Sequence, residues 1–550
     1  MVHSKQTTEE IRSNIINNLS WSAAERDDSQ VACAIHQGEE LDAVYSLNET
    51  GLLDEFWHFL ERVGILQLVG NIRVPKIERV IIPMVQIVLL YLLKVLFGIV
   101  SMNALPVLLF SNVAAMKLVG FNAYQVFKGF TKRGDYARKK KPKQGPLSAQ
   151  SLSQNISKIP VEGVESFFNG CIRCLAVFGI FGAKVTGVVD GSRIETTDDY
   201  EGHGTLTVER RKRQKGGGWV KFFEYLFGWK VVALMELDTR IPLAVKVLKI
   251  EAYEGEWLVP LVKQAQINLG EHSRIVKVVA DRIFLDGVDL WELHQMGLVF
   301  VILAKAGMKV REAALAQVAH GKIQSRSHTV FHGHGRFQTQ ETLTTQLVAV
   351  TGLNQYIQFG PPPLLGKRRT RKDNPRLNAV VVRMWNNQLM GDSGHVYLTN
   401  GEASDAFAVF DTYDGRSLIE NGLFREGKGP WVLEHSPQKN ENAVIVHVVF
   451  TMAMMALSTA YRIWSHQQHL AEQQTPQSGI ALLGGEGTKA WRRRLIQENR
   501  DKVIVFVEDH YGIFHATEFA ILAGLRIKPE GIPPELGSPT DILLHYGLSP

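Results

Sequence analysis

The spacing of apolar residues changes abruptly near Lys184. Ahead of it the period is helical. Leu52 to Val74 places apolar residues close to three- and four-residue intervals, and Leu152, Ile156, Ile159, Val164, Phe167 and Phe168 continue the habit between Ser148 and Gly182. Residues 1–180 are therefore expected to form one mostly helical region. Within it, 80–100 reads VIIPMVQIVLLYLLKVLFGIV, long enough to cross a bilayer. Pro83, Gln86 and Lys94 interrupt that run, and a lysine inside a span is costly. The reading preferred for 80–121 is two or three buried helices; a membrane-associated protein is the rival.

After Lys184 the runs shorten to strand length. Val185 to Val189 is a strand core. Gly228–Leu237 and Leu243–Ile250 form a hairpin pair around Asp238-Thr-Arg-Ile-Pro242. Trp257–Asn268 predicts a helix, Ile275–Ala280 a strand, Leu285–Met296 a helix and Val299–Leu303 a strand. The order strand, strand, strand, helix, strand, helix, strand is that of a ribonuclease-H-like α/β fold with a mixed sheet. Residues 181–305 are expected to form the first part of this core. Residues 306–400 alternate Thr-, Val- and Gln-rich runs with basic turns and predict a β-rich insertion. Residues 401–466 should complete the core, with a helix over Ala406–Leu423 carrying Glu420 and a long apolar helix, Asn442–Trp464, packed on the sheet. No role emerges for 467–550.

Composition narrows the picture only slightly. A chain of 550 residues has room for two to four domains. A net charge of +6 permits nucleic-acid binding without showing it. Three cysteines give no disulfide framework, and the N-terminus lacks the apolar core of a secretory signal, so a cytoplasmic location is expected. Cys171-Ile-Arg-Cys174 has zinc-ligand spacing but no second pair, so buried helix cysteines are the expectation. Positive charge is clustered. Eight Lys or Arg lie between Lys128 and Lys143, including Lys139, Lys140 and Lys141; this is a solvated loop or an arm gripping a nucleic-acid backbone. Arg210, Arg211, Lys212 and Arg213 stand just before Trp219, Phe222 and Phe223. Basic residues beside aromatics suit a flipped or single-stranded base, or a plain surface loop.

The most informative residues are acidic. Asp190 closes the run Val185-Thr-Gly-Val-Val, and Asp281 closes Ile275-Val-Lys-Val-Val-Ala. Carboxylates at the C-terminal tips of buried strands are placed to hold divalent cations, where α/β folds put their chemistry. Glu420 lies in Tyr413-Asp-Gly-Arg416-Ser-Leu-Ile-Glu420; on a continuous helix Tyr413, Arg416 and Glu420 would share one face. There Tyr413 and Arg416 would grip a phosphate beside the metal ligand, or Arg416 would simply pair with Glu420.

Together these motifs resemble bacterial insertion-sequence transposases of the DDE type, most of all the group with a Tyr-Arg-Glu-Lys signature. Asp190-Gly-Ser192 is similar to that family's first motif. Asp281-Arg-Ile-Phe is similar to the second, with Ile283 where Gly is commoner. Tyr413-x2-Arg416-x3-Glu420 matches the third in type and spacing. The signature Lys would fall at 427, where Gly427 stands and Lys428 follows. The resemblance covers about 185–465. It implies Asp190, Asp281 and Glu420 as catalytic metal ligands, with Asp190 bridging two Mg²⁺ ions and Mn²⁺ as a substitute. It also implies double-stranded DNA as partner (transposon ends and target), Lys428 near the transposon end, a homodimer in the DNA complex, no membrane, and action at the bacterial nucleoid. A ribonuclease-H-like nuclease that cuts without joining is the enzymatic rival.

Overall fold

The computed structural model describes residues 25–46, 53–74, 82–121, 125–126, 145–213, 217–332, 339–362, 370, 374–472, 501–508 and 510–549. The chain divides into two compact units. One is Leu175–Arg425; the other combines Met1–Cys174 with Glu426–Pro550.

The Leu175–Arg425 unit is built on an eleven-stranded mixed sheet. Its strands are β1 (Lys184–Thr196), β2 (Gly204–Arg213), β3 (Trp219–Glu236), β4 (Pro242–Lys249), β5 (Arg274–Ala280), β6 (Val299–Leu303), β7 (Ile323–His332), β8 (Thr339–Leu353), β9 (Leu377–Trp385), β10 (Gln388–Leu389) and β11 (Val396–Thr399). The centre runs β4-β3-β1-β5-β6. β3 lies antiparallel to both β1 and β4, whereas β1, β5 and β6 run parallel. This is the expected ribonuclease-H-like order. Strand β1 is buried through Val185, Val188 and Val189, because a central strand covered on both faces reads as a continuous apolar run. The helix Leu258–Leu269 covers β4, β3 and β5, and Asn268, fully buried on it, donates to the Leu243 carbonyl at 2.8 Å.

The 306–400 segment is β-rich, as expected, and its strands join the central sheet. β11 pairs antiparallel with β6, β9 with β11, β8 with β9 and β7 with β8, so the central sheet simply continues. The apolar alternation of β8 and β9 requires this: Leu347, Val348, Val350, Ala379, Val380, Val381 and Val382 are all buried. The other addition to expectation is β2. Arg210–Arg213 reads as a loop in sequence, since four successive basic residues carry little strand propensity. Here they extend the ladder begun by Leu206 and Val208, each paired across to β3.

The second unit differs more from expectation. The compact unit that holds the sheet ends at Arg425, and 426–466 falls in the other unit. The long apolar helix, Glu441–Glu472, lies in this second unit and packs there against the helices Met84–Leu96 and Leu53–Val63. The Tyr461 hydroxyl donates to Glu55 at 2.9 Å, and Phe56 and Phe59 meet the Tyr461 ring at 5.5 and 5.8 Å. Residues Glu441–Gln467 are long and apolar enough to cross a membrane, with 89% of the apolar window buried inside the protein. The Met84–Leu96 helix has 13 residues, too few for a span, and every residue from Gln86 to Leu96 is buried. Nor are 1–180 and 467–550 separate regions. Ala43–Ser46 and Glu25–Arg26 pair with the hairpin Lys502–Val507 and His510–His515 in a four-stranded sheet. Val31, Ala32 and Ile35 from one end of the chain share a core with Val505, Phe514 and Leu522 from the other.

Candidate active site

β1 and β5 lie side by side, and Val189 opposite Ala280 is their last paired rung. Asp190 and Asp281 each stand one residue beyond. Two neighbouring parallel strands therefore bring the two aspartates side by side at their C-terminal ends, with backbones about 5 Å apart by strand spacing. The strands then part. β1 continues with β3 alone, Asp190 lying opposite Ala233. β5 turns into the short helical segment Arg282–Phe284, and Asp281 caps it by accepting from the Arg282 N–H at 2.7 Å.

Each aspartate is held by a residue of the third motif. The Arg416 guanidinium donates to Asp190 Oδ2 at 2.6 Å, and the Gly191 N–H donates to Oδ1 at 2.8 Å. The Tyr413 hydroxyl donates to Asp281 Oδ1 at 3.4 Å. Burial, and secondarily Asp281, raises the Tyr413 hydroxyl well above its ordinary range, so it remains a donor. Arg416 lies 5.9 Å from the centre of the Tyr413 ring and within electrostatic range of Asp190, Asp281 and Glu420. Its ion pair is with Asp190, not with Glu420 four residues on.

Glu420 is positioned differently from expectation. The predicted helix over Ala406–Leu423 stops at Asp414, and Glu420 rides a π-helical turn, Ile419–Phe424. Gly415 and Ser417 are weak helix formers. The wider turn lets Ile419, Leu423 and Phe424 bury together, and it packs on β1. Tyr413, Arg416 and Glu420 thus do not share one helical face. Glu420 is exposed, whereas Asp190 is 16% exposed. The preceding helix is fixed by the ion pair of Arg326 with Asp411 and by Lys277 Nζ, 3.3 Å from Thr412 Oγ1.

Sequence reading misses one carboxylate here. Glu254, at the turn before the helix Leu258–Leu269, sits where a side chain on Gly191 would go. A Cβ built there meets Glu254 Oε2 at 2.0 Å. The signal was the glycine after Asp190, whose vacancy admits a group distant in sequence. Burial pushes the Asp190 carboxyl up to about 6; Arg416 and the Gly191 N–H oppose the rise, while Asp281 and Glu254 add to it.

Hard divalent cations take carboxylate oxygen. Asp190, Asp281, Glu254 and Glu420 offer only such donors, and Asp190 carries charge that burial disfavours. The donor chemistry therefore fits a divalent ion. The spacing is wider than a loaded centre requires: among the described residues no three His, Cys, Asp or Glu side chains stand close enough to hold a metal. An ion shared by all three motif carboxylates needs Glu420 to approach the aspartate pair.

The remaining candidates lie elsewhere. Lys428 falls in the other unit and pairs with Glu434 at 2.9 Å. Arg210, Arg211, Lys212 and Arg213 line β2. Lys139, Lys140 and Lys141 lie outside the described residues. Cys171 and Cys174 are free, and Cys171 is buried.

Residues 182–457 match the family model described as "Transposase DDE domain". No curated protein matches the chain. Among solved structures, a cryo-EM piggyBac transposase synaptic complex with hairpin DNA aligns at 10% identity and a TM-score of 0.37. The alignment covers 87% of this chain and 81% of that one. DDE transposases generally use divalent metals. The family match spans half of the sequence and includes all three acidic motifs, and the chain belongs to the DDE transposases, enzymes of DNA phosphoryl transfer.

Proposed function

We propose that this transposase cuts transposon ends and joins them to target DNA at a centre formed by Asp190, Asp281 and Glu420, which hold two Mg²⁺ ions, with Mn²⁺ as a substitute. The observation that carries the proposal is the adjacency of Asp190 and Asp281 at the ends of two parallel strands, each held by a residue of the Glu420 motif. Bound ions supply charge neutralisation at phosphorus and an activated oxygen nucleophile at neutral pH. The protein supplies the rest. The fixed sheet edge holds Asp190 and Asp281 in register, so that nucleophile and leaving oxygen are positioned by one rigid element. Tyr413 keeps its proton and orients Asp281. Arg416 offsets the charge of Asp190 and places a cation beside the scissile phosphate. Cleavage uses water; joining uses the freed 3′-hydroxyl at the same centre.

The Tyr413, Arg416 and Glu420 spacing supports membership of the bacterial insertion-sequence group with the Tyr-Arg-Glu-Lys signature, with Lys428 in the place of its lysine. On this reading the protein acts at the nucleoid, as a homodimer joining two ends. The helical N-terminal region, the Lys139–Lys141 cluster and the β2 cations contribute DNA contacts.

The test compares wild type with Asp190→Asn, Asp281→Asn and Glu420→Gln in cleavage and strand-transfer assays on DNA carrying the element's own ends. Each variant is expected to keep end binding and lose both reactions. Full strand transfer by any of the three removes that residue from the centre. Cleavage by wild type with no joining would select the nuclease reading.

A further inference from the structure

β2 and β3 extend past the sheet as a two-stranded ribbon. β1 pairs with β3 only from Phe227 onward and β4 only from Trp229, so residues 219–226 have β2 as their one partner strand among the described residues. Cross-strand partners share a face. Arg213 with Trp219, Arg211 with Lys221, Glu209 with Phe223 and Thr207 with Tyr225 define one face of this ribbon. Trp219, Phe223 and Tyr225 are 68%, 66% and 63% exposed. Three large aromatic side chains on one face of a free ribbon, with three cations between and beside them, are unusual for a surface that meets only water.

The charges point to the partner. Arg210, Arg211, Lys212, Arg213 and Lys221 outnumber Glu209 and Glu224, and both acids are already engaged. Glu209 pairs with Lys221 at 2.8 Å, and Glu224 with Arg210 at 2.7 Å on the opposite face. Arg211 and Arg213 have no ion-pair partner among the described residues. A second copy of the ribbon would bring like charge against like; a polyanion with flat apolar faces complements it. DNA bases offer such faces only when unpaired, because a duplex buries them in its own stack. Side chains two residues apart on a strand face are about 6.8 Å apart. That is twice the ~3.4 Å rise of stacked bases, which leaves room for one base between Phe223 and Tyr225.

We propose that this ribbon is a single-stranded DNA site: Trp219, Phe223 and Tyr225 stack on unpaired bases, and Arg211 and Arg213 hold the adjoining phosphates. The proposal rests on the reading that the protein works on DNA, and names the form of DNA that this surface takes.

The test measures binding of the full chain, with EDTA present, to fluorescent oligothymidylate and to an abasic phosphodiester of equal length. Wild type is expected to favour oligothymidylate by about tenfold or more. The triple variant Trp219→Ala, Phe223→Ala, Tyr225→Ala should bind both equally. Arg211→Ala with Arg213→Ala should weaken both and flatten the salt dependence. Equal wild-type affinity for the two oligomers, or an unchanged preference in the aromatic variant, overturns the proposal. So does a loss of self-association in the aromatic variant with its oligothymidylate preference intact, which would mark a protein contact instead. Asp190→Asn should retain the preference, so failure of the ribbon site and failure of the catalytic reading remain separable.

Discussion

Asp190 and Asp281 are legible in the sequence for a simple reason. Each closes an apolar run that has to be a buried strand, and parallel strands release their chain ends on one edge. Glu254 is not legible. It comes beside Gly191 only because that residue has no side chain, a relation between residues remote along the chain. Two expectations follow. Glu254→Gln should weaken Mn²⁺ binding by about 10–100-fold, the range seen when a carboxylate supporting a metal site is neutralised. Gly191→Ala should do the same, because its Cβ displaces the Glu254 carboxylate. If both act through that contact, the double variant should cost little more than either single change. Additive losses, measured by Mn²⁺ titration, would separate the two residues. Arg416→Lys should also impair activity, since a single ammonium cannot reproduce a planar guanidinium poised among three carboxylates. Activity equal to wild type would make Arg416 a mere counter-ion.

Among the elements, the central sheet follows from the order of the apolar runs, while three features do not. Arg-Arg-Lys-Arg conceals the outer half of β2, because local propensity cannot see the ladder that carries it. The π-helical turn at Ile419–Phe424 conceals the true aim of Glu420, since periodicity alone assumes 3.6 residues per turn. The Met84–Leu96 helix is legible as buried despite Lys94, and the structure shows the consequence. Lys94 is fully buried, and its ammonium has no hydrogen-bond partner among the described residues. Burial lowers its pKa from 10.5 to about 8. The unfolded chain therefore binds more protons than the folded one between about pH 8 and 10.5, and stability from this residue rises with pH across that window. Below it the charged form is penalised in the fold by roughly 3 to 4 kcal/mol at most, at ~1.4 kcal/mol for each tenfold loss of proton affinity. Lys94→Met should therefore stabilise the protein at pH 7 and lose most of that advantage by pH 10.5, as read from denaturation midpoints. A destabilised Lys94→Met protein at pH 7 would show that the ammonium has a stabilising contact.

On the scale of the whole molecule, the two ends of the chain build one unit together. Ala43–Ser46 depends on Lys502–Val507 for its ladder, and Val31 and Ile35 depend on Phe514 and Leu522 for their core. Sequence order hides this, because the pairing crosses more than 450 residues. Truncation after residue 500 should expose that core, and limited proteolysis should then cut within 25–46; protection equal to the full chain would contradict the shared sheet. The family match, by contrast, rests on the segment whose motifs are readable from sequence. What joins both scales is the claim that Asp190, Asp281 and Glu420 serve one metal centre although Glu420 stands apart from the aspartates in this structure. The most direct measurement is Mn²⁺ binding to the full chain with its DNA ends, comparing wild type with Asp190→Asn, Asp281→Asn and Glu420→Gln. Two ions in wild type and a lost or weakened site in every variant is the predicted result. Wild-type stoichiometry and affinity in Glu420→Gln would contradict it.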